Sequence, residues 1–585
     1  MWLVVIIILA ALLRLQNFQV FSLKLPSGYD PFYHLRLAEI IVKSGYRPKF
    51  DHYLNYPYGL KIGWPPLFDY ILAIPGMLFG FDATVYFALV FPVVLGVLNT
   101  FLVYVIARRF GDENFALLSA LVYATIPAAV HTSILGFADY HAWNMFLVLL
   151  AFYLLLRYPL AAGIPLAILA FSWVGAPIYA AVLALAAFLH FEDRKLLYVI
   201  PAFLVPVVSA VISHTVALSF VAITAFLAVG IFIKRFDNLR VELGYVTVSA
   251  LTLAVLYFAP IKELSLVKSG VSYLIGANIY LPTIAEAQSF DFVGVMSLAG
   301  YLSFLLALPS LFMLRNRLLH TFFFASFALS LLQNRFTEIL AVPVSLFAAS
   351  TLVYIFERTE VIVREEEVVE RKRTKRRDKK KRHKEKKKLT LGDKAVVAAF
   401  LAFIFSPAVI ISIKPYEMSE DWYNALRWID EDTEPTSYYL HPDKGKPEYS
   451  VLSWWDYGNW IVFVAKRPVV CNNFQAGAVD AAKFFTAQSE GEAMKIIKKR
   501  GVRYVITDEE MNFKNESGIY TGKFEAIMSI AGFSPELMEK EEILEFYNAS
   551  MLYKLHVENA ENLKHFRLVK EFGRVKVFEV EIGRE

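Results

Sequence analysis

At 585 residues the chain could hold several soluble domains, but a composition of 57% hydrophobic side chains excludes a wholly soluble protein. A single cysteine, Cys471, excludes an intrachain disulfide and leaves no cysteine cluster for a metal. The net charge of +5 conceals one polybasic run. Arg364 to Lys388 holds fifteen Lys/Arg against six Asp/Glu, so the remainder is slightly acidic and no nucleic-acid face is expected.

In chain order, Met1 to Leu13 is apolar without a cationic start or a small-residue cleavage site, and reads as an uncleaved first span. A polar and aromatic segment from about 22 to 65 follows. Twelve further apolar blocks are expected near 84–107, 115–131, 143–157, 160–173, 177–190, 197–213, 216–233, 241–258, 291–313, 319–333, 337–356 and 390–413. Every even-numbered span ends at a base, from Arg108 and Arg109 through Arg157, Arg194, Lys234 and Arg315 to Arg358. That parity places the amino terminus and the polybasic loop at about 357–389 in the cytoplasm. Thirteen spans then put everything after about 414 outside.

The last 170 or so residues are less apolar. Trp422 to Asp430 predicts a helix, Gly501 to Thr507 a buried strand, and "GRVKVFEVEI" an alternating one. The expected architecture is a polytopic α-helical membrane domain at 1–414, of about 13 transmembrane helices, followed by an extracytoplasmic mixed α/β domain at 415–585.

The parity also gathers chemistry on one side of the membrane. The first external segment carries "GYDPFYHLR" with Asp30, the second "GFADYHAW" with Asp139 and His141, and the fifth "LPTIAEAQ" with Glu286. Two carboxylates and an imidazole suit Mn²⁺ or Mg²⁺, with phosphate and water completing an octahedral shell. Arg335, at the outer edge of the twelfth span, is a charge in an apolar block, which is costly and commonly functional. The rarest string is "WWDYGNW", Trp454 to Trp460. Two indole N–H donors and one carboxylate suit a small hydroxyl ligand, and the ring faces exclude water.

The run Trp454-Trp455-Asp456-Tyr457-Gly458 resembles the WWDYG motif of the catalytic subunit of oligosaccharyltransferase, and the chain as a whole resembles the archaeal AglB type in a short form. "YDPFYH", "DYH" and "TIAE" resemble that family's two acidic motifs and its TIxE motif, and Arg335 in "NRF" its substrate-binding arginine. The resemblance implies a membrane glycosyltransferase of the GT-C type that moves an oligosaccharide from a dolichyl-phosphate-type lipid to asparagine of N-x-S/T, with inversion. Asp30, Asp139 and His141 would ligate the metal. Asp30 and Glu286 would hold the acceptor carboxamide, and Trp454, Trp455 and Asp456 the +2 hydroxyl. Arg335 would contact lipid phosphate or acceptor, and His131 lies near a phosphate-binding position. Lys523 and Ile527 fit the second half of a D-x-x-K motif supporting the sequon pocket. Tyr520 stands where its Asp is expected, and Asp508 at a longer spacing is the alternative. The implied partners are lipid-linked oligosaccharide, acceptor polypeptides and membrane lipid, in a single-subunit enzyme. A protein O-mannosyltransferase should lack the Trp-Trp-Asp string, and a transporter should carry ionisable groups mid-span and related halves.

Overall fold

The computed structural model describes residues 1–258, 289, 291–358, 406, 408–411, 417–513 and 522–581. Glu286, Tyr520, the polybasic loop beyond 358 and most of the expected span 390–413 lie outside these residues. Contacts divide the chain into two units: Met1–Phe18 with Val90–Pro415, and Gln19–Leu89 with Tyr416–Glu585. One boundary falls near 415, and residues 19–89, which lie in the expected 1–414 domain, group by contacts with the carboxyl-terminal segment. The reason is backbone hydrogen bonding: residues 50–56 donate to and accept from the carboxyl-terminal segment, as in Tyr56 N to Val469 O at 3.0 Å and Val469 N to Tyr53 O at 2.8 Å.

The first unit is helical. Five described helices are long and apolar enough to cross a membrane, Phe81–Ala107, Tyr140–Arg157, Asp193–Val211, His214–Lys234 and Asn334–Arg358, the first of which contains the unit boundary. Shorter apolar helices include Trp2–Arg14, Ala176–His190 and Arg317–Leu332. Two expected spans are broken, each for a local reason. The block 115–131 divides into Glu113–Thr125 and Pro127–His131, because Ile126 before a proline is held extended at ψ 125°. The block 291–313 divides into Phe292–Ala299 and Tyr301–Met313, bent by 103°, at Gly300 with φ +78°. Aliphatic and aromatic side chains from most of these helices, among them Val148, Phe188, Phe322 and Phe347, form one buried core.

Arg14 is fully buried in this unit. It donates to Ser133 Oγ at 2.7 Å and to the carbonyls of Ala10, Ala124 and Ala129 at 3.0 to 3.2 Å. The last two are carbonyls near the carboxyl-terminal ends of short helices, where cations are favoured. Gly96 makes room for it, since a Cβ there would run into the guanidinium.

In the second unit, a helix Asp30–Ser44 arises inside the polar and aromatic segment that follows the first span. Pro31 near its start presets φ, and Gly45 at φ +80° ends it with a bond from its N–H to Ile41 O at 2.9 Å. A two-stranded pair, β1 (Phe50–Asp51) and β2 (Leu60–Lys61), follows. The main sheet comprises β3 (Ser450–Leu452), β4 (Val502–Asp508), β5 (Phe566–Phe572) and β6 (Val575–Val580) in the order β3-β4-β6-β5. The β3/β4 pair is parallel and the others antiparallel. Central β4 is buried on both faces except at Arg503, as its run Tyr504-Val505-Ile506 suits. Helix Glu420–Asp432 is capped by Ser419 Oγ and buries Trp422, Ala425, Leu426 and Ile429, a stripe at helical spacing.

Candidate active site

In the second unit, the Trp454–Trp460 string passes from a 3₁₀ turn into a short helix after β3. Gly458 is obligatory by packing: a Cβ there would lie 2.5 Å from Asn472 Cα. Trp454, Trp455 and Tyr457 are buried, and the Trp455 indole N–H is buried without a hydrogen-bond partner among the described residues. Leaving such a donor unsatisfied costs about 1–3 kcal/mol, which marks it as a group awaiting an acceptor. Asp456 is half-buried and pairs with Lys523 Nζ at 2.8 Å. Lys523 also donates to Tyr457 Oη at 3.1 Å and reaches Glu510 at 3.5 Å. Burial works to lower the Lys523 pKa, but Asp456, with Tyr29 and Glu510, outweighs it and holds the ammonium above the ordinary lysine value.

Asp508 does not take the place of the motif's missing acid beside this lysine. It is buried at the end of β4, accepting from Trp422 Nε1 at 2.5 Å and Glu510 N at 2.6 Å, and burial raises its pKa. Trp422 in turn stacks on Tyr457 at 4.3 Å, so Asp508 braces the back of the motif. The additional acid at Lys523 is Glu510, two residues further on, where the chain leaves the strand for a 3₁₀ turn. Ile527, in helix Phe524–Ala531, is fully buried.

Asp30 opens its helix, where the N-terminal dipole favours a carboxylate. Its Oδ1 accepts from Asn459 Nδ2 at 3.2 Å, linking it to the WWDYGNW string. The helix beyond is anchored by charge. His34 and Arg47 both bind Asp69, at 2.6 Å each, and Arg36 pairs with Asp51 between the rings of Tyr53 and Tyr439. Burial works against the Asp69 carboxylate, yet Arg47 and His34 outweigh it and hold its pKa below the usual value.

In the first unit, Asp139 caps helix Tyr140–Arg157, its Oδ1 accepting from Tyr140 N at 2.6 Å. His141 follows two residues later, and its Nδ1 lies 3.1 Å from Glu338 Oε2. The other Glu338 oxygen accepts from the Tyr179 hydroxyl. His141 and Glu338 are 6% and 4% exposed, so this is a buried polar knot in an apolar unit. Arg335 stands in the 3₁₀ turn Asn334–Phe336, one helical turn before Glu338 and within electrostatic reach of Tyr179. The His131 ring packs 5.5 Å from Phe137, which lies 6.3 Å from the His141 ring. Among the described residues no three His, Cys, Asp or Glu side chains are grouped to hold a metal.

Glu338, Asn459 and Glu510 escape a reading of the sequence. Glu338 carries a signal, a carboxylate at the start of an apolar block three residues after Arg335. Asn459 lies within the distinctive string, but an amide has no titration or ligand signature to single it out. Glu510 is one acid among several in "DEEM".

The model of the amino-terminal part of oligosaccharyl transferase STT3 matches residues 1–412, and that of the AglB core domain residues 419–512. The chain is 51% identical to dolichyl-phosphooligosaccharide-protein glycotransferase 2 of Archaeoglobus fulgidus, over 99% of this chain and 98% of the relative. It is 48% identical to glycotransferase 1 of the same organism, over 98% of each. Among solved structures it resembles archaeal oligosaccharyltransferase AglB from Archaeoglobus fulgidus in complex with an inhibitory peptide and a dolichol-phosphate. That match has a TM-score of 0.78 at 22% identity, covering 98% of this chain and 79% of that one, and it shows a shared fold. With near-complete coverage at half identity and a family model spanning its helical part, the chain belongs to the STT3 oligosaccharyl transferase family and is a membrane glycosyltransferase of archaeal AglB type.

Proposed function

We propose that the enzyme transfers an oligosaccharide from a dolichyl-phosphate-type lipid to the side-chain nitrogen of asparagine in N-x-S/T sequons, with inversion, on the extracytoplasmic side of the membrane. The observation that carries this reading is the buried, unbonded Trp455 indole N–H beside Asp456, in the unit that also holds Asp30. A donor and a carboxylate on adjacent residues match a hydroxyl that both accepts and donates. Lys523 fixes the Asp456 carboxylate, and Trp454 and Ile527 are assigned to the same acceptor pocket.

Asparagine nitrogen is a poor nucleophile because its lone pair is delocalised into the carbonyl. Asp30 and Glu286, accepting from the two N–H groups, would turn the amide out of conjugation and accept the proton released. Arg335 and His131 are the cationic and imidazole groups assigned to the lipid phosphate or acceptor.

Asp30, Asp139 and His141 are the residues assigned to Mn²⁺ or Mg²⁺, and each would supply a donor to it. What supports the assignment is the chemistry of two donors on one helix: the His141 Nδ1 faces a carboxylate, which would leave Nε2 for a metal, and Asp139 lies at the start of the same helix. When bound, the ion would neutralise charge on the departing lipid phosphate. The polypeptide is assigned as a single-subunit enzyme, with a dolichyl monophosphate carrier.

The test is transfer to an N-x-T peptide by purified protein supplied with lipid-linked oligosaccharide and Mn²⁺. Glycosylation of that peptide, and none of its Q-x-T or N-x-A counterparts, is expected, with activity lost in excess EDTA. Equal labelling of the N-x-A peptide would defeat the hydroxyl pocket. Undiminished transfer in EDTA would defeat the metal.

A further inference from the structure

Asn459 and Asn472 are both fully buried. Asn472 Nδ2 donates to Asn459 Oδ1 at 2.7 Å. That bond sets the orientation of the second amide. With its oxygen taken by Asn472, the Asn459 nitrogen faces the first helix, donating to Asp30 Oδ1 at 3.2 Å and reaching the Tyr29 carbonyl at 3.4 Å. The neighbouring motif residue completes the grip. Trp460 Nε1 donates to Gly28 O at 2.9 Å, and its ring stacks on Tyr29 at 4.9 Å and 16°. Two consecutive residues of the WWDYGNW string therefore hold three consecutive residues ending at Asp30. Three residues before Asn459, on the same turn, Asp456 is fixed by Lys523.

We propose that Asn459, oriented by Asn472, is a positioning residue that holds the Asp30 carboxylate at a set spacing from the Trp454–Asp456 acceptor pocket. The inference rests on the assignment of Asp30 to the acceptor amide. Its logic is geometric: the reacting asparagine and the +2 hydroxyl are two residues apart on one peptide, so the groups that receive them need a fixed separation. A neutral amide suits the task. It donates to the carboxylate while accepting from Asn472, and it neither neutralises Asp30 nor competes for the acceptor proton. An aspartate at 459 would keep the shape but set a second carboxylate against the first.

The experiment is steady-state turnover of an N-x-T peptide by the purified full-length protein with lipid-linked oligosaccharide and Mn²⁺, with the melting temperature of each variant recorded. Asn459→Ala and Asn459→Asp should each lower kcat by about 100-fold, the order expected when a reacting group is misplaced by about 1 Å. The peptide KM should stay within about threefold, because the hydroxyl pocket is intact. Near-normal kcat in either variant would overturn the proposal. So would a peptide KM that rises in step with the loss, since that marks packing of the pocket. Should Asn459→Ala fail to fold, Asn472→Ala leaves the Asn459 side chain in place but unoriented, and should lower kcat about tenfold at constant KM; an unchanged kcat there has the same negative meaning. Asp30→Asn is measured alongside. If it turns over normally, the assignment of Asp30 itself fails, whereas a crippled Asp30→Asn with unaffected Asn459 variants refutes only the positioning role.

Discussion

The two units satisfy their polar residues in different ways. In the described helices of the first unit, charge is sparse and each buried charge is met by a small fixed set of neighbours: Arg14 by Ser133 and three backbone carbonyls, Glu338 by one imidazole and one phenol. In the mixed unit, the polar groups form branching networks, as where Lys523 reaches Asp456, Tyr457 and Glu510, or where Asp69 receives both His34 and Arg47. An apolar surrounding makes each unmade bond expensive and leaves few replacements. A branching network has further partners among which a loss is redistributed. Substitutions in the first unit should therefore act sharply through single partners, and those in the second should be graded, except where a residue touches the reacting atoms.

The largest effect tests that exception. Asp30→Ala should cut peptide turnover by about 100-fold or more while leaving the melting temperature nearly unchanged, as a group stabilising the transition state requires. A parallel loss of stability would make Asp30 a helix cap instead. Next, Glu338→Gln keeps the shape of the buried pair but removes its charge. Metal affinity, titrated with Mn²⁺ on the purified protein, should fall about 10- to 100-fold. A smaller change than this would show that the helical unit also tolerates redistribution.

In the mixed unit, Lys523→Met should raise the peptide KM about tenfold with little change in kcat, because Asp456 keeps its place but loses the cation that orients it. A drop in kcat of equal size would blur the separation between acceptor binding and chemistry. The smallest effect is a pH dependence. His556 is buried against Thr507, its Nδ1 2.8 Å from the hydroxyl, and burial together with Lys576 lowers its pKa to about 4. The unfolded chain would bind a proton near the ordinary histidine value of 6.5, so folding is disfavoured progressively as pH falls from there toward 4. The melting temperature of the full chain should decline over that window, and His556→Gln should flatten the decline. An unchanged slope in the variant would assign acid sensitivity to other groups.

Much of this molecule was legible from residue order because its strongest signals are local. Apolar blocks of spanning length, the Trp422 stripe and the alternation of "GRVKVFEVEI" each depend on near neighbours, and the helix Glu420–Asp432 and the strands Val502–Asp508 and Val575–Val580 appear where the sequence predicts them. The breaks at Ile126 and Gly300 are also local, and proline and glycine announce them. The helix at Asp30–Ser44 was obscured by its many polar and aromatic residues, which are buried against a segment some 400 positions away. The site was legible in its types and only partly in its pairings. WWDYG marked Trp455 and Asp456, whereas Glu510 rather than Asp508 joins Asp456 at Lys523, because the chain turns after β4 and points Asp508 inward.

Sequence alone determined the class of the protein, a helical membrane part followed by an α/β part, and the residue types available for glycosyl transfer. Hydrophobicity and motif spacing are properties of the chain, and no folding is needed to read them. Tertiary structure decided that residues 19–89 belong with the carboxyl-terminal unit, that Glu338 orients His141, and that Asn459 faces Asp30. Those are choices of partner between residues far apart in sequence. A buried donor or acceptor must find whichever partner packing brings within about 3 Å, and that is set by the folded chain as a whole.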